Sequence, residues 1–211
     1  MNKLFLASYF SGVASLFLNF TEKDCVGKKV VFIPTASLPD KMAFYVGTDR
    51  KALQKLGMVV EDLEISKVSN KEIATKISCA DYIFVSGGNT FFLLQEMKRK
   101  SVDKMIIEHI SNGKLYIGSS AGSVVLSKDI GYLSDMDSPK AAPDLNGDFS
   151  ALSVVDFYII PHLTNFPHKI IAGKIVKKFS DTLDIRAISN HQAIIVDGDK
   201  VETLNVKGKQ K

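Results

Sequence analysis

The sequence predicts an α/β fold, a three-layer, doubly wound, mostly parallel sheet closed by a C-terminal antiparallel hairpin. Three observations carry this expectation. Short apolar runs alternate along the chain with segments of helical period, the pattern of right-handed strand-helix-strand crossovers. Several of these runs are continuous rather than alternating with polar residues, as strands covered on both faces require. Near the end, Asp197-Gly198-Asp199-Lys200 joins two strand-like runs as a tight turn.

Taken in order, residues 3–8 read as the first strand, followed by a glycine turn at Ser11-Gly12 and an apolar helix over 13–20. The run 30–33 lies between Lys28-Lys29 and Pro34 and reads as a buried strand, which Thr35-Ala36-Ser37 closes. A helix over 41–56 stops at Gly57, before a strand over 58–65. Residues 70–77 make a short helix and 82–85 a strand, after which Ser86-Gly87-Gly88-Asn89-Thr90 introduces a helix over 91–98. A further helix over 102–111, stopped by Asn112-Gly113, leads to a strand over 115–117. Residues 129–146 are rich in Asp, Pro, Gly and Ser and read as a long surface loop with at most a short hairpin. A strand over 155–160, a helix over 168–179 and strands over 186–189, 192–196 and 201–204 complete a single domain, 1–211.

Composition bounds the function. The 27 basic and 23 acidic residues leave a net charge of +4, much of it in Lys207, Lys209 and Lys211, a solvated tail that signals neither nucleic-acid nor membrane binding. Cys25 and Cys79 form neither a disulfide framework nor a zinc pattern, so free thiols in a reducing cytoplasm are expected. The apolar run 4–20 is broken by Ser8, Ser11, Gly12, Ser15 and Asn19, is too polar to span a membrane and lacks a clear cleavage site after a basic region, so the chain is expected to be soluble and cytoplasmic.

Chemistry concentrates at Gly118-Ser119-Ser120-Ala121-Gly122, where strand turns into helix. The spacing Gly118-x-Ser120-x-Gly122 fits a nucleophile elbow, in which a strained turn lifts a serine hydroxyl above the sheet. A serine nucleophile needs a base within reach and a group to orient that base. Among the histidines, His109 lies mid-helix beside Glu108 and reads as a surface residue, as does His168 at a helix start. His162 follows a strand end, where sites of open parallel sheets assemble, and is the preferred base, with His191 second. The orienting carboxylate could be Asp129, Asp135, Asp137, Asp144 or Asp148, and composition does not choose among them. Gly87-Gly88 can offer backbone N–H groups to an oxyanion; it lacks the spacing of a dinucleotide fingerprint or a phosphate loop.

Four segments together carry a family resemblance. Phe32-Ile33-Pro34-Thr35-Ala36-Ser37, Gly87-Gly88-Asn89-Thr90-Phe91, Gly118-Ser119-Ser120-Ala121-Gly122-Ser123 and Pro161-His162-Leu163-Thr164-Asn165, in this order, resemble the peptidase E (aspartyl dipeptidase) family of serine peptidases. Cyanophycinase is a relative, and the fold resembles class I glutamine amidotransferases, whose elbow carries cysteine at the place of Ser120. The resemblance implies Ser120 as nucleophile, His162 as base and Asp135, in Ser134-Asp135-Met136, as the orienting acid. It also implies an oxyanion hole at Gly88 and Ala121. The expected enzyme acts on a short peptide, requires no metal or organic cofactor, and is a monomer or homodimer. One departure stands out. The family's arginine-containing segment after the histidine, which holds a substrate aspartate, is here Ile170-Ile171-Ala172-Gly173-Lys174-Ile175-Val176-Lys177-Lys178, without arginine. Lysine cannot reproduce the bidentate fork, so strict specificity for N-terminal aspartate is not expected. Two readings remain beside a dipeptidase or aminopeptidase: an esterase or amidase on the same triad, and a non-catalytic ligand-binding domain.

Overall fold

The structure, a computed structural model, describes residues 2–41 and 43–206. The lysine-rich tail named above lies outside the described residues. Seven strands form the central sheet in the order β3-β2-β4-β5-β1-β8-β9. They are β1 (Lys3–Ala7), β2 (Lys29–Ile33), β3 (Val59–Asp62), β4 (Tyr82–Val85), β5 (Leu115–Ser119), β8 (Gln192–Asp197) and β9 (Lys200–Asn205). The first five pair in parallel, and β8 and β9 add an antiparallel edge. The expected α/β fold with its closing hairpin is the one observed.

Alternation along the strands builds two cores. Phe5, Val30, Phe32, Phe84 and Ile117 face one side and pack with α1 (Phe10–Phe20) and α2 (Phe44–Lys55). Leu4, Leu6, Val31, Ile33, Ile83, Val85 and Tyr116 face the other side. There they meet α3 (Asn70–Cys79), α4 (Thr90–Lys100), α5 (Val102–Ser111) and α7 (Lys169–Phe179). Both faces being apolar, the strands read as continuous hydrophobic runs, and each fully buried Phe or Leu contributes about 1.5–3 kcal/mol. Local signals agree with this packing: Ser69 Oγ accepts from the Glu72 N–H at the start of α3, and Asn89 Oδ1 accepts from the Phe92 N–H at the start of α4.

Several expectations need correction. Ser11-Gly12 lies inside the first turn of α1 rather than in a turn before it. The glycine is there because a Cβ at position 12 would sit 2.5 Å from the Asn190 carbonyl oxygen. The segment after the elbow is not a surface loop: it makes short 3-10 turns at Gly131–Leu133, Pro139–Ala141 and Pro143–Leu145, and buries Ile130, Tyr132, Leu133 and Leu145. The strand expected over 155–160 is only β6 (Tyr158–Ile160), and that over 186–189 is β7 (Ile185–Ala187); these two pair in parallel outside the central sheet. Among the described residues, no helix is long and apolar enough to cross a membrane.

Candidate active site

The elbow forms where β5 meets the short helix α6 (Ala121–Val124). Ser120 sits at the junction with φ +51° and ψ −111°, a conformation that costs a non-glycine residue of order 1–3 kcal/mol. Bonds on either side hold it there: the Ser120 N–H donates to the Ala7 carbonyl at 2.9 Å, and Ser123 Oγ donates to the same oxygen at 2.8 Å. Tyr116 adds a 2.6 Å bond from its hydroxyl to the Gly122 carbonyl. Glycine is required at 122, where a Cβ would stand 2.1 Å from the Val85 carbonyl oxygen.

His162 follows β6 and also has a positive φ, +62°. Its N–H donates to Ser8 Oγ at 3.1 Å, and that hydroxyl donates to the Ile188 carbonyl at 2.9 Å, so the end of β1 fixes the histidine backbone. The ring places Nε2 3.0 Å from Ser120 Oγ and Nδ1 2.6 Å from Asn190 Oδ1. An amide oxygen only accepts, so Nδ1 carries the hydrogen and Nε2 offers its lone pair to the serine hydroxyl. Asn190 is held in turn by its own N–H, which donates to Asn165 Oδ1 at 2.8 Å. Burial lowers the His162 pKa to about 4; the Asn190 bond opposes this, and His168 nearby adds to it.

The carboxylate expected at His162 is not there. Asp135 Oδ2 lies 3.3 Å from Lys178 Nζ, with both side chains more than half exposed. The turn Gly131–Leu133 directs Asp135 toward α7. Of the other acids considered, Asp129 accepts from the Gly131 N–H, Asp148 pairs with Lys98, and Asp144 lies in the turn Pro143–Leu145. Asp137 is half-buried, with Oδ2 accepting from both the N–H and the hydroxyl of Thr90 at the start of α4. The sequence expectation names only carboxylates for this place, although an amide oxygen such as that of Asn190 can accept the same hydrogen. The available signal was its place beside His191 at the opening of the last hairpin.

The remaining histidines also move from expectation. His109 is buried, its Nε2 3.2 Å from the Leu115 carbonyl oxygen, and burial lowers its pKa to about 4. His168 lines the cleft, its ring centroid 5.2 Å from that of His162. His191 is half-buried next to Asn190 and does not line the cleft.

Beside Ser120, Gly88 has φ +134°, and a Cβ there would stand 2.1 Å from the Ala36 carbonyl oxygen. Ala121 opens α6, so its N–H has no partner within the helix. Ala121 is buried directly behind Ser120, while Gly88 borders a cleft of about 500 Å³ that Ser120 and His162 share with Asp40, Asp137, Phe44 and Phe166. Among the described residues lining it there is no lysine or arginine. A serine hydroxyl, a neutral imidazole accepting from it, and backbone donors beside a solvent-accessible cleft are the parts of an acyl-transfer site.

Comparison with known proteins agrees with this chemistry. Residues 4–204 match Peptidase family S51. An uncharacterized peptidase of Listeria innocua, Lin0382, is 48% identical over 209 residues, covering 99% of both chains. Another from Pasteurella multocida, PM1590, is 46% identical over the full length of both. A crystal structure of a candidate peptidase E protein from Listeria monocytogenes EGD-e superposes with a TM-score of 0.93 at 48% identity, covering 98% of this chain and 100% of that one. With a match across nearly its whole length and the elbow geometry above, the chain belongs to Peptidase family S51 and is a serine-type peptidase.

Proposed function

We propose that the protein hydrolyses short peptides through a Ser120-His162-Asn190 triad, releasing an N-terminal residue. The observation that carries this reading is the continuous chain of bonds from Ser120 Oγ through the imidazole to Asn190 Oδ1. Ser120 Oγ attacks the scissile carbonyl while His162 Nε2 takes its proton. The oxyanion forms against the N–H groups of Gly88 and Ala121. His162 then gives the proton to the leaving amine as the C–N bond breaks, and a water activated by the same imidazole hydrolyses the acyl-enzyme. Asn190 keeps the ring in the correct tautomer without supplying a negative charge, a role asparagine fills in cysteine peptidases with a Cys-His-Asn site.

A cleft of about 500 Å³ suits a short peptide. Without lysine or arginine in its described lining, it offers no fork for a substrate carboxylate, which supports broad rather than strict aspartyl specificity. The test is labelling with a serine-directed fluorophosphonate together with turnover of dipeptide, amide and ester panels. Wild-type protein is expected to be labelled and to cleave dipeptides, and Ser120→Ala to do neither. Equal labelling of both proteins would sink the nucleophile assignment, and turnover of esters alone would replace peptidase by esterase.

A further inference from the structure

One buried carboxylate beneath the site has no part in the steps above. Asp49, on α2, is fully buried. Its Oδ2 accepts from Ser119 Oγ–H at 2.8 Å, and its Oδ1 accepts from the Ser11 N–H at 2.9 Å. Ser119 Oγ in turn accepts from the Phe10 N–H at 3.2 Å. Ser119 is the residue before the nucleophile. Phe10 and Ser11 form the first turn of α1, whose N-cap residue, Tyr9, supplies no side-chain bond of its own. The next residue of that turn, Gly12, packs so closely on the Asn190 carbonyl that a Cβ would come within 2.5 Å of it. One carboxylate therefore braces the turn that supports Asn190 and the strand end that carries Ser120.

We propose that Asp49 is a positioning residue for catalysis, holding Ser119 and the first turn of α1 so that Ser120 and Asn190 stay in register on either side of His162. The proposal rests on the hydrolase reading above. The carboxylate is needed in its ionised form, because both neighbours present hydrogens to it; a protonated carboxyl has to donate and gives up one acceptor. Burial pushes its pKa up to about 7, against the pull of the Ser11 and Ser119 bonds. The surrounding elements bring it no countercharge. Helix α1 contains no ionisable side chain, and β5 has only Tyr116, whose hydroxyl is committed to Gly122. Strand β3, which also packs on α2, has Glu61 paired with Lys76 and Asp62 with Arg50 of α2 itself. On the same helix, Tyr45 donates to Asp40.

The experiment compares wild type, Asp49→Asn, Ser119→Ala and the double variant by fluorophosphonate labelling rate, kcat, KM, pH profile and melting temperature. Asp49→Asn is expected to lower the labelling rate and kcat on the order of 10- to 100-fold with KM within about threefold, the signature of a displaced nucleophile rather than lost substrate contacts. Wild-type kcat is expected to fall as pH drops through about 7, and the Asn variant to lose that step and keep only the limb near 4 that belongs to His162. The double variant is expected to lose little more than the worse single, because the two residues act along one path. A folded Asp49→Asn protein labelled at the wild-type rate, with an unchanged pH profile, would show the carboxylate to be a packing feature and overturn the proposal while leaving the hydrolase reading intact. Wild-type protein that resists labelling would remove both. Should Asp49→Asn not fold, Ser119→Ala decides: it breaks the same link at small volume cost, and wild-type kcat from it counts against the proposal.

Discussion

Asn190 Oδ1 lies 2.6 Å from His162 Nδ1, whereas Asp135 is paired with Lys178 on the exposed face of the molecule. Removing the amide frees the imidazole to adopt the wrong tautomer and to rotate away from Ser120. Asn190→Ala is therefore expected to lower kcat by about 10²- to 10⁴-fold with little change in KM. Asp135→Ala is expected to stay within about twofold of wild type, since an exposed ion pair contributes about 0–1 kcal/mol and touches nothing in the cleft. Steady-state kinetics on one dipeptide decides, and a collapse of Asp135→Ala with normal Asn190→Ala would reverse the assignment.

Replacing the amide by a carboxylate gives a second handle. In wild type, burial holds the His162 pKa near 4, so the base is neutral and competent throughout the neutral range. Asn190→Asp places a negative charge against Nδ1, which favours imidazolium and raises that pKa, by about 1–3 units for such close pairs. The base is active only above its pKa, so the acidic limb of kcat/KM is expected to move upward by that amount. Measured on a background of Asp49→Asn, the shift is separated from any step near pH 7; a limb that stays put would mean that the group at Nδ1 does not govern the base.

What was legible in the chain follows from how local each signal is. The strand, loop and helix order came from contiguous residues: an apolar run, a glycine stop and a cap are complete within a few positions. The elbow, too, is a local spacing that Gly118, Ser120 and Gly122 spell out. The proposed third member of the site was not legible. Asn190 reaches His162 across 28 residues, through a second small sheet that takes β6 and β7 out of the central one. The loop acids misled because carboxylates are common on solvated turns, and Asp135 proved to be one of those. His109 and His168 were misplaced for the same reason, since a helix pattern does not say which neighbour will cover a given face.

Two glycines give opposite expectations. Gly88→Ala cannot be accommodated, because φ is +134° and the methyl group would meet the Ala36 carbonyl at 2.1 Å; the loop must move and carry its N–H away from the oxyanion. Loss of one such donor costs about 10²- to 10³-fold in kcat, and that loss is the expected result. Gly173, inside α7, faces open space: a Cβ there would meet nothing within 4 Å. Gly173→Ala is expected to raise stability by about 0.5–1 kcal/mol, the difference in helix preference, with unchanged kinetics. Urea denaturation and dipeptide turnover on the two variants test both halves; an active Gly88→Ala would exclude that loop from the oxyanion hole.

Substrate preference follows from the charge of the cleft. Asp40 and Asp137 face the space that Ser120 opens into, and no described lysine or arginine answers them. A substrate carboxylate placed beside Ser120 meets like charge in a partly desolvated cleft, whereas an apolar side chain meets Phe44 and Phe166, 75% and 92% exposed at the rim. Asp-Leu is therefore expected to be turned over more slowly than Leu-Leu. Asp40 is the better probe of the two acids, because Asp137 also holds the start of α4 through Thr90, whereas Asp40 is engaged by the Tyr45 hydroxyl. Asp40→Asn keeps that acceptor and removes the charge, and is expected to raise kcat/KM for Asp-Leu relative to Leu-Leu by about fivefold, equivalent to about 1 kcal/mol of relieved repulsion. A wild-type preference for Asp-Leu that Asp40→Asn leaves untouched would mean that a cation outside the described lining reaches the substrate, and that this electrostatic account of specificity is wrong.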